Sequence, residues 1–515
     1  MNGAHSLVKT LLASGVDTCF SNPGTSEMHF VAALDQVPGM RCVLGLQENV
    51  VTGMADGYWR IARKPACTLL HCGPGLANGW ANLHNARRAR SGIVNIVGDQ
   101  ATWHRPHDPP LTADTEGLAR AVSAWVRTSA SAGDVGRDAA SAVQAARSAA
   151  GQIATLVLPS DTSWDEGGEV GQPLAVPQVP PVAGFAIDNA ARVLRSGEKA
   201  LLFMAGDAVL EEGQRQAWRI AKATGAGTMA AFVIGHIARG RGRMQLERLA
   251  YNTDLAMQQL APYRHIVLVG AQVPVGFFGY PGKPSVQAAP GTQVHVLSRP
   301  EQDGVAALRA LADALGAAEA PFDDPGAKPA PASGAPTPEK LAQTVAALLP
   351  AHAIVADESV SFGRGFYAFT HAAEANDWLH ITGGAIGDGM PLATGAAIAA
   401  KGERRVLNLQ ADGSAMYTVQ SLWTQARERL PVTTVILSNR RYAILMSEYR
   451  SVGGAGDMGP TATSMLDLGR PDIGWTHLAR GMGVESAQAT TMEQCADLMK
   501  ASFGKSGPFL VELVI

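Results

Sequence analysis

Short apolar runs alternate with longer helical patterns along most of this 515-residue chain. Each run is rich in Val, Ile and Leu and is bounded by turn-forming residues. Alternation of short apolar strands with helices is typical of doubly wound parallel sheets, because each helix returns the chain to the start of the next strand. The clearest runs are IVNIVGD, ATLVLPSD, ALLFMAGD, HIVLVGA, QVHVLS, AIVADES, RVLNLQ, TTVILSN and FLVELVI. The pattern predicts an α/β protein with three doubly wound parallel-sheet domains.

Two linkers rich in Pro, Gly and small residues divide the chain. They cover residues 165–184 and 319–337. Such a composition is typical of connecting segments. We therefore predict domains at residues 1–164, 185–318 and 338–515. Three domains also agree with the usual size of a domain for a chain of this length.

Composition favours a soluble enzyme. The formal net charge is −3 and no long run of one sign occurs, so we expect neither nucleic acid nor a membrane surface as a partner. No run approaches 18 apolar residues and the N-terminus lacks a leader pattern, so we predict a cytoplasmic location. The five cysteines are scattered and form no CxxC, which argues against a disulfide framework and against a structural zinc site.

A strand followed by a polar turn forms the strongest candidate site. The run VLNLQ leads into Ala411-Asp412-Gly413-Ser414, and the next strand ends at Asn439. The carboxyl ends of parallel strands meet at one edge of a sheet, where Asp412 and Asn439 each offer an oxygen that suits Mg²⁺. The Gly413-Ser414 turn can present N–H groups to phosphate. The same residues also make ordinary turns, so the motif alone favours a structural interpretation.

Three features cluster within the first 100 residues. Thr25 or Ser26, in NPGTSE, can cap a helix. Glu48 lies near the start of a helical pattern, where a carboxylate suits the helix dipole. His71 follows an apolar strand and precedes a Gly-rich turn that contains Asn78. Each feature has a purely structural explanation by itself.

Taken together, these motifs resemble those of thiamine diphosphate enzymes. The spacing from Asp412-Gly413-Ser414 to Asn439 is similar to the GDGS-to-N signature of that family, although Ala411 stands where the family usually has Gly. NPG followed by T-S-E, the Glu followed by ADGY, and LH before a Gly-rich turn most resemble the pyrimidine-binding domain of benzoylformate decarboxylase. The resemblance extends over most of the chain.

The resemblance implies a role for each matching residue. Glu48 would hydrogen-bond the aminopyrimidine ring of thiamine diphosphate, Thr25 would bind the substrate carboxylate, and His71 would transfer protons. Ligands of Mg²⁺ would be Asp412, Asn439 and the main-chain carbonyl of Arg441. Further cofactor contacts would be Asn78, Gly384, Ile386, Gly413, Ser414 and Tyr442.

Ile386 and one further apolar run also have ordinary structural explanations. Ile386, in GGAIGDGMP, would be the apolar wedge that bends the cofactor, but it also suits a core position after a Gly-rich turn. The run Ile444-Leu445-Met446 would line the pocket and favour an apolar substrate side chain, or it is the buried face of a helix.

Histidine usage departs from that of benzoylformate decarboxylase. That enzyme has a second catalytic histidine in its central domain, whereas the matching stretch GFFGYPGKPS has none and offers Tyr280, Pro281 or Lys283 instead. Benzoylformate itself is therefore not the expected substrate. His104 and His107, in WHRPHDPP, either replace the missing group or belong to a surface loop.

We predict a thiamine diphosphate- and Mg²⁺-dependent lyase that decarboxylates a 2-oxo acid, with carboligase activity as an additional option. The main alternative is an acetolactate synthase-type transferase acting on pyruvate, and a third is a catalytically inactive cofactor-binding paralogue. The central segment has no GxGxxG before a helix, so we expect no FAD. Because Glu48 and Asp412 lie in different domains, the resemblance also implies a homodimer or homotetramer with active sites at subunit interfaces.

Overall fold

Three separate sheets form the framework of the protein. The structure is a computed structural model and describes residues 1–452 and 457–515. Two of the sheets are entirely parallel and the third is parallel except for one edge strand. The predicted α/β architecture of three doubly wound parallel sheets is thereby confirmed. Within the described ranges, no helix combines the length and apolar character needed to cross a bilayer.

The N-terminal sheet has six parallel strands in the order β2-β1-β3-β4-β6-β5. Its strands are β1 (Thr18–Asn22), β2 (Arg41–Leu44), β3 (Ala66–Leu70), β4 (Ile93–Asp99), β5 (Trp125–Thr128) and β6 (Ile153–Pro159). Its helices are α1 (Gly3–Ala13), α2 (Met28–Gln36), α3 (Glu48–Ala62), α4 (Cys72–Ala89), α5 (Thr115–Arg120), α6 (Ala132–Arg147) and α7 (Ser160–Trp164).

Six further strands belong to the central part of the chain. They are β7 (Ala200–Met204), β8 (Gly227–Ala230), β9 (His236–Arg239), β10 (Glu247–Arg248), β11 (His265–Val269) and β12 (Gln293–Ser298). Five of them form a parallel sheet in the order β10-β8-β7-β11-β12, and β9 does not belong to it. The accompanying helices are α8 (Gly184–Leu194), α9 (Glu211–Thr224), α10 (Thr253–Leu260) and α11 (Gly304–Ala314).

The C-terminal sheet has seven strands in the order β17-β18-β16-β15-β13-β14-β9, and β9 pairs antiparallel with β14. Its own strands are β13 (Ile354–Glu358), β14 (Asn376–His380), β15 (Val406–Ala411), β16 (Val432–Ser438), β17 (Glu485–Ala489) and β18 (Phe509–Val514). Its helices are α12 (Pro338–Leu348), α13 (Phe366–Phe369), α14 (Gly389–Ala399), α15 (Asp412–Ala415), α16 (Ser421–Arg427), α17 (Ala443–Ser451), α18 (Pro460–Leu466), α19 (Trp475–Gly481) and α20 (Met492–Phe503).

Glycines let α3 and α14 pack with their backbones almost in contact. A β-carbon on Gly57 would lie 2.1 Å from the Leu392 carbonyl oxygen, and one on Gly395 would lie 1.9 Å from the Met54 carbonyl oxygen. Any larger residue would push the helices apart. Apolar residues of both helices, among them Met54 and Leu392, belong to one buried cluster, so the N-terminal and C-terminal sheets share a core.

Arg60, on α3, contacts all three parts of the chain. Its side chain is buried and forms an ion pair with Asp56 at 2.5 Å. The guanidinium also donates to the carbonyl oxygens of Gly235 at 3.1 Å and His380 at 2.6 Å. A buried cation is tolerated only when its donors are satisfied. Arg60 therefore makes the relative position of the three parts depend on one side chain.

We expect Arg60→Gln to lower the free energy of unfolding by about 3–5 kcal/mol, because Asp56 would remain buried without its partner cation. The measurement is the first transition in urea denaturation. Lys505→Gln is the control, since it removes an exposed ion pair with Glu485 that is worth less than about 1 kcal/mol. Equal losses in the two variants would contradict the assigned importance of Arg60.

Candidate functional site

Two loops meet at the carboxyl edge of the N-terminal sheet. The strands β1 and β3 are neighbours, and the chain order changes direction between them, which is where ligands bind in open α/β sheets. After β1, a single 3₁₀ turn covers Thr25–Glu27 and leaves Thr25 exposed. After β3, His71 is the N-cap residue of α4. The predicted Thr25 and His71 therefore lie on the same edge of one sheet.

His71 is held by a buried carboxylate. Its Nδ1 lies 3.0 Å from Oε2 of Glu27 and 3.2 Å from the Ser26 hydroxyl. Since a carboxylate only accepts, Nδ1 carries the proton and Nε2 is the basic nitrogen of the neutral ring. β-Carbons on Gly24 and Gly98 would lie 2.1 Å from His71 and 1.8 Å from Glu27, respectively. Both glycines are therefore required for this pair.

Glu27 and Cys72 are parts of this edge that the sequence did not single out. Glu27 suits a helix terminus by residue type, and only its contact with His71 reveals a second role. The Cys72 thiol lies 3.1 Å from the Ser26 hydroxyl, and burial raises its pKa to about 11. Cys72 is therefore a neutral thiol at physiological pH. In the sequence, the glycine at position 98, near the end of a strand, was the available signal that another side chain packs closely against this strand.

Glu48 is the first residue of α3 and its side chain is largely buried. Its Oε2 accepts a hydrogen bond from Asn78 Nδ2 at 3.1 Å. A β-carbon on Gly75 would lie 3.1 Å from Oε1, so a larger residue at position 75 would crowd the carboxylate. The Gln47 side chain caps the helix by accepting from the N–H groups of Asn49 and Val50. The Glu48 carboxylate is therefore not needed as the helix cap. The predicted residues Glu48 and Asn78 are thus in direct contact.

At the C-terminal sheet, β15 and β16 bring the predicted metal ligands together. The Asp412 carboxylate accepts from the N–H groups of Gly413 at 2.8 Å and Arg440 at 2.7 Å. Asn439 Oδ1 accepts from the N–H of Arg441 at 3.0 Å. Burial raises the pKa of Asp412, and a bound cation would favour its ionised form. The side-chain oxygens of Asp412 and Asn439 keep lone pairs that these hydrogen bonds do not use. This set of oxygens therefore fits a hard cation such as Mg²⁺.

Tyr442 packs against the turn that contains Asp412. A β-carbon on Gly413 would lie 2.4 Å from the Tyr442 ring, so glycine is required at this position. The Ser414 hydroxyl donates to the Ala411 carbonyl oxygen at 3.1 Å and accepts from Gln410. Ala411 has φ −69° and ψ 142°, a conformation that any residue adopts. The backbone therefore does not require glycine at position 411.

The loop that contains Gly384 and Ile386 is held from two sides. Asn85, on α4, accepts from the N–H groups on either side of Gly384 at 3.1 and 3.2 Å. Glu358, at the end of β13, accepts from two N–H groups around the start of α14, both at 2.7 Å. Gly384 has φ +78°, which favours glycine. Ile386 is half-buried, and its position is determined by these contacts.

Within one chain, the predicted site residues divide between two sheets. Thr25, Glu48 and His71 lie at the N-terminal sheet, and Asp412 and Asn439 lie at the C-terminal sheet. Across the described ranges, no hydrogen bond joins these two sets. His104 and His107 lie in an exposed loop after β4. Because β4 is the parallel neighbour of β3, this loop leaves the same carboxyl edge of the N-terminal sheet. The role of both histidines stays a prediction.

Models of known families match the two segments of the chain that contain these edges. Residues 1–118 match the model of the thiamine pyrophosphate enzyme N-terminal TPP binding domain, and residues 362–513 match that of the C-terminal TPP binding domain. A Mycobacterium tuberculosis protein named "Putative acetolactate synthase large subunit IlvX" is 49% identical, over 100% of this chain and 99% of that protein.

Decarboxylases are also similar to this chain. Benzoylformate decarboxylase of Pseudomonas aeruginosa is 28% identical over 100% of this chain and 99% of its own length. The solved structure of a thiamine diphosphate-dependent 4-hydroxybenzoylformate decarboxylase from Rhodococcus jostii superposes with a TM-score of 0.86 at 24% identity, over 99% of this chain and 98% of the other. The structural likeness shows that the two proteins share a fold. The family models and the 49% identical relative show the family. The chain belongs to the thiamine pyrophosphate enzyme family.

Proposed function

We propose that this protein is a thiamine diphosphate- and Mg²⁺-dependent decarboxylase of a 2-oxo acid, with carboligation of the product to an aldehyde as a second activity. The observation that carries the proposal is the Glu27–His71 pair. Glu27 holds Nδ1 of His71 at 3.0 Å, so the opposite ring nitrogen is available to exchange a proton with substrate. Releasing an aldehyde after CO₂ loss requires protonation of the former carboxylate-bearing carbon, which suits a general acid–base group.

Chain residues also suit the cofactor. Thiamine diphosphate, when bound, supplies an electron sink for the carbanion left by loss of CO₂. Glu48 would hydrogen-bond its aminopyrimidine ring, and Asn78 would orient the Glu48 carboxylate through their 3.1 Å contact. Asp412, Asn439 and the Arg441 carbonyl would hold Mg²⁺ at the diphosphate.

Acetolactate synthase activity is the second candidate. It is favoured by the name of the 49% identical mycobacterial relative. The two reactions share the loss of CO₂ from a 2-oxo acid and differ in the fate of the remaining carbon. A decarboxylase protonates that carbon, whereas a synthase joins it to a second 2-oxo acid. His71 supports protonation, which is why decarboxylation is the leading proposal.

We further propose that each active site combines the N-terminal edge of one subunit with the C-terminal edge of another, in a homodimer or homotetramer. Support comes from the placement of Glu48 and Asp412, which lie at different sheets and which no hydrogen bond joins within the described part of the chain. Apolar side chains are also exposed near both edges: Met28, Leu46, Trp103, Met416, Leu445 and Met465. Exposed apolar side chains near an incomplete site are typical of a subunit interface.

Product analysis tests the reaction itself. The purified protein is incubated with thiamine diphosphate, Mg²⁺ and, separately, pyruvate or larger 2-oxo acids, and CO₂ and organic products are measured. We expect an aldehyde and CO₂ from a larger acid. Acetolactate from pyruvate would instead assign the synthase reaction. Absence of CO₂ from every acid would contradict the proposal and favour an inactive paralogue.

Glu48→Gln should lower kcat by about 10²-fold or more, because the amide cannot exchange the proton that the carboxylate exchanges. Thiamine diphosphate binding, measured by calorimetry, should change only slightly, since the phosphate cradle is intact. Glu493→Gln is a matched control because Glu493 is an exposed glutamate in the first helical turn of α20. Full turnover in Glu48→Gln would disprove the assigned role.

Coexpression of two inactive variants tests the shared site. Glu48→Gln and Asp412→Ala should each be inactive alone, and Asp412→Ala should also lose Mg²⁺-dependent cofactor retention on gel filtration. Mixed dimers contain one site in which both halves are wild type, so coexpression should restore about a quarter of the wild-type activity. If each site were built within one chain, coexpression would restore nothing.

A further inference from the structure

A carboxylate on α17 accepts hydrogen bonds from two tyrosines of the central part of the chain. Tyr280 donates to Oε2 of Glu448 at 2.8 Å, and Tyr251 donates to Oε1 at 3.1 Å. The tyrosines follow different strands, so the fold brings them together at Glu448. Glu448 is half-buried, and this group of three side chains is here called the Glu448 cluster.

The Glu448 cluster lies beside the proposed cofactor site. Helix α17 begins directly after Tyr442, whose ring packs on Gly413. From the other side, Phe277 touches the Gly384 loop, because a β-carbon on Gly384 would lie 2.6 Å from Phe277 Cζ. The Phe277 and Tyr251 rings are 5.3 Å apart. The cluster therefore continues the wall that runs from the Gly384 loop to α17.

Both tyrosines act as donors to Glu448. Burial, reinforced by the Glu448 charge, raises the pKa of Tyr251 and of Tyr280, so their hydroxyls remain protonated at physiological pH. A carboxylate has about four acceptor sites on its two oxygens, and the tyrosines occupy one on each oxygen. Glu448 thus keeps acceptor sites for a further donor.

Two cationic side chains near the cluster, Arg364 and Lys283, already have contacts of their own. The Arg364 guanidinium lies 4.1 Å above the Tyr251 ring, and Lys283 pairs with Asp254 at 2.7 Å. Arg364 moderates the negative charge of Glu448 without a direct hydrogen bond to it. A neutral donor and a cationic donor are therefore both compatible with the cluster, whereas an apolar group would desolvate the carboxylate without compensation.

We propose that the Glu448 cluster is a subsite that binds the side chain of the substrate through an N–H or O–H donor. This inference rests on the proposed 2-oxo acid chemistry and names the class of acid. The apolar stretch Ile444-Leu445-Met446 favoured an apolar substrate side chain, but it covers only the start of α17. Further along the helix, Glu448 changes the character of the wall from apolar to polar.

The test compares three 2-oxo acids that differ in the group at the end of the side chain: 2-oxohexanoate, 6-hydroxy-2-oxohexanoate and 5-guanidino-2-oxopentanoate. The holoenzyme should prefer at least one donor-bearing acid over 2-oxohexanoate in kcat/KM by about tenfold to a hundredfold, which is the usual range for a charge-assisted hydrogen bond. The hydroxyl and guanidinium arms distinguish a neutral donor from a cationic one. Glu448→Gln, which keeps the shape of the side chain, should reduce the preference by about tenfold.

A second readout does not need turnover. The corresponding 2-hydroxy acids lack the reactive carbonyl, and their affinities can be measured by calorimetry on the holoenzyme and on Glu448→Gln. A Glu448-dependent preference in binding without any CO₂ release would support the subsite and contradict the proposed reaction. CO₂ release with the same preference in wild type and Glu448→Gln would overturn the subsite alone.

One control variant and one variant of the cluster itself separate recognition from a merely structural role. Glu485→Gln removes an exposed carboxylate whose partner is Lys505 and should leave the substrate preference unchanged. Tyr280→Phe removes one hydrogen bond to Glu448 but keeps the carboxylate, so the preference should persist. If Tyr280→Phe and Glu448→Gln both lowered Tm and slowed all three acids equally, the cluster would be only a link between domains and the inference would fail.

Discussion

The buried Arg60–Asp56 pair is the interaction on which the arrangement of this molecule depends. A buried ion pair adds little net stability compared with apolar side chains of the same volume, but breaking one is costly. Arg60 directs its remaining donors to carbonyl oxygens of the central and C-terminal parts. Each part therefore contributes a polar group that only this arrangement satisfies. The close packing of α3 on α14 has the same effect, since only glycine permits it at two positions.

The polar contacts around the two binding edges show how few residues determine the site. At the N-terminal edge, Glu27 orients His71 and Asn78 orients Glu48. At the C-terminal edge, N–H groups orient the Asp412 carboxylate and the Asn439 amide oxygen. In every case an imidazole, carboxylate or amide is aligned by a neighbouring group of the chain itself. Such preorganisation lowers the cost of binding and of the reaction.

Much of the architecture could be predicted from the sequence because many strands of the sheets are short apolar runs, and all nine runs predicted as strands contain a strand. Short strands such as β9 and β10 gave no such signal, since they have only four and two residues and contain charged side chains. Asp412 and Asn439 were found because each follows an apolar strand. The contacts of Glu27 with His71 and of Glu448 with two tyrosines depend on tertiary structure, which residue type alone does not reveal.

Strand β9 has a consequence for how the protein avoids aggregation. Without it, β14 would be the edge of the C-terminal sheet, and a free edge exposes unpaired N–H and C=O groups to which another chain can add a strand. β9 pairs with β14 in the antiparallel direction, is supplied by the central part of the chain and becomes the edge strand in place of β14. Three of the four residues of β9 are buried, so this edge is less accessible to another chain. Deleting the central part would leave β14 as an exposed edge strand.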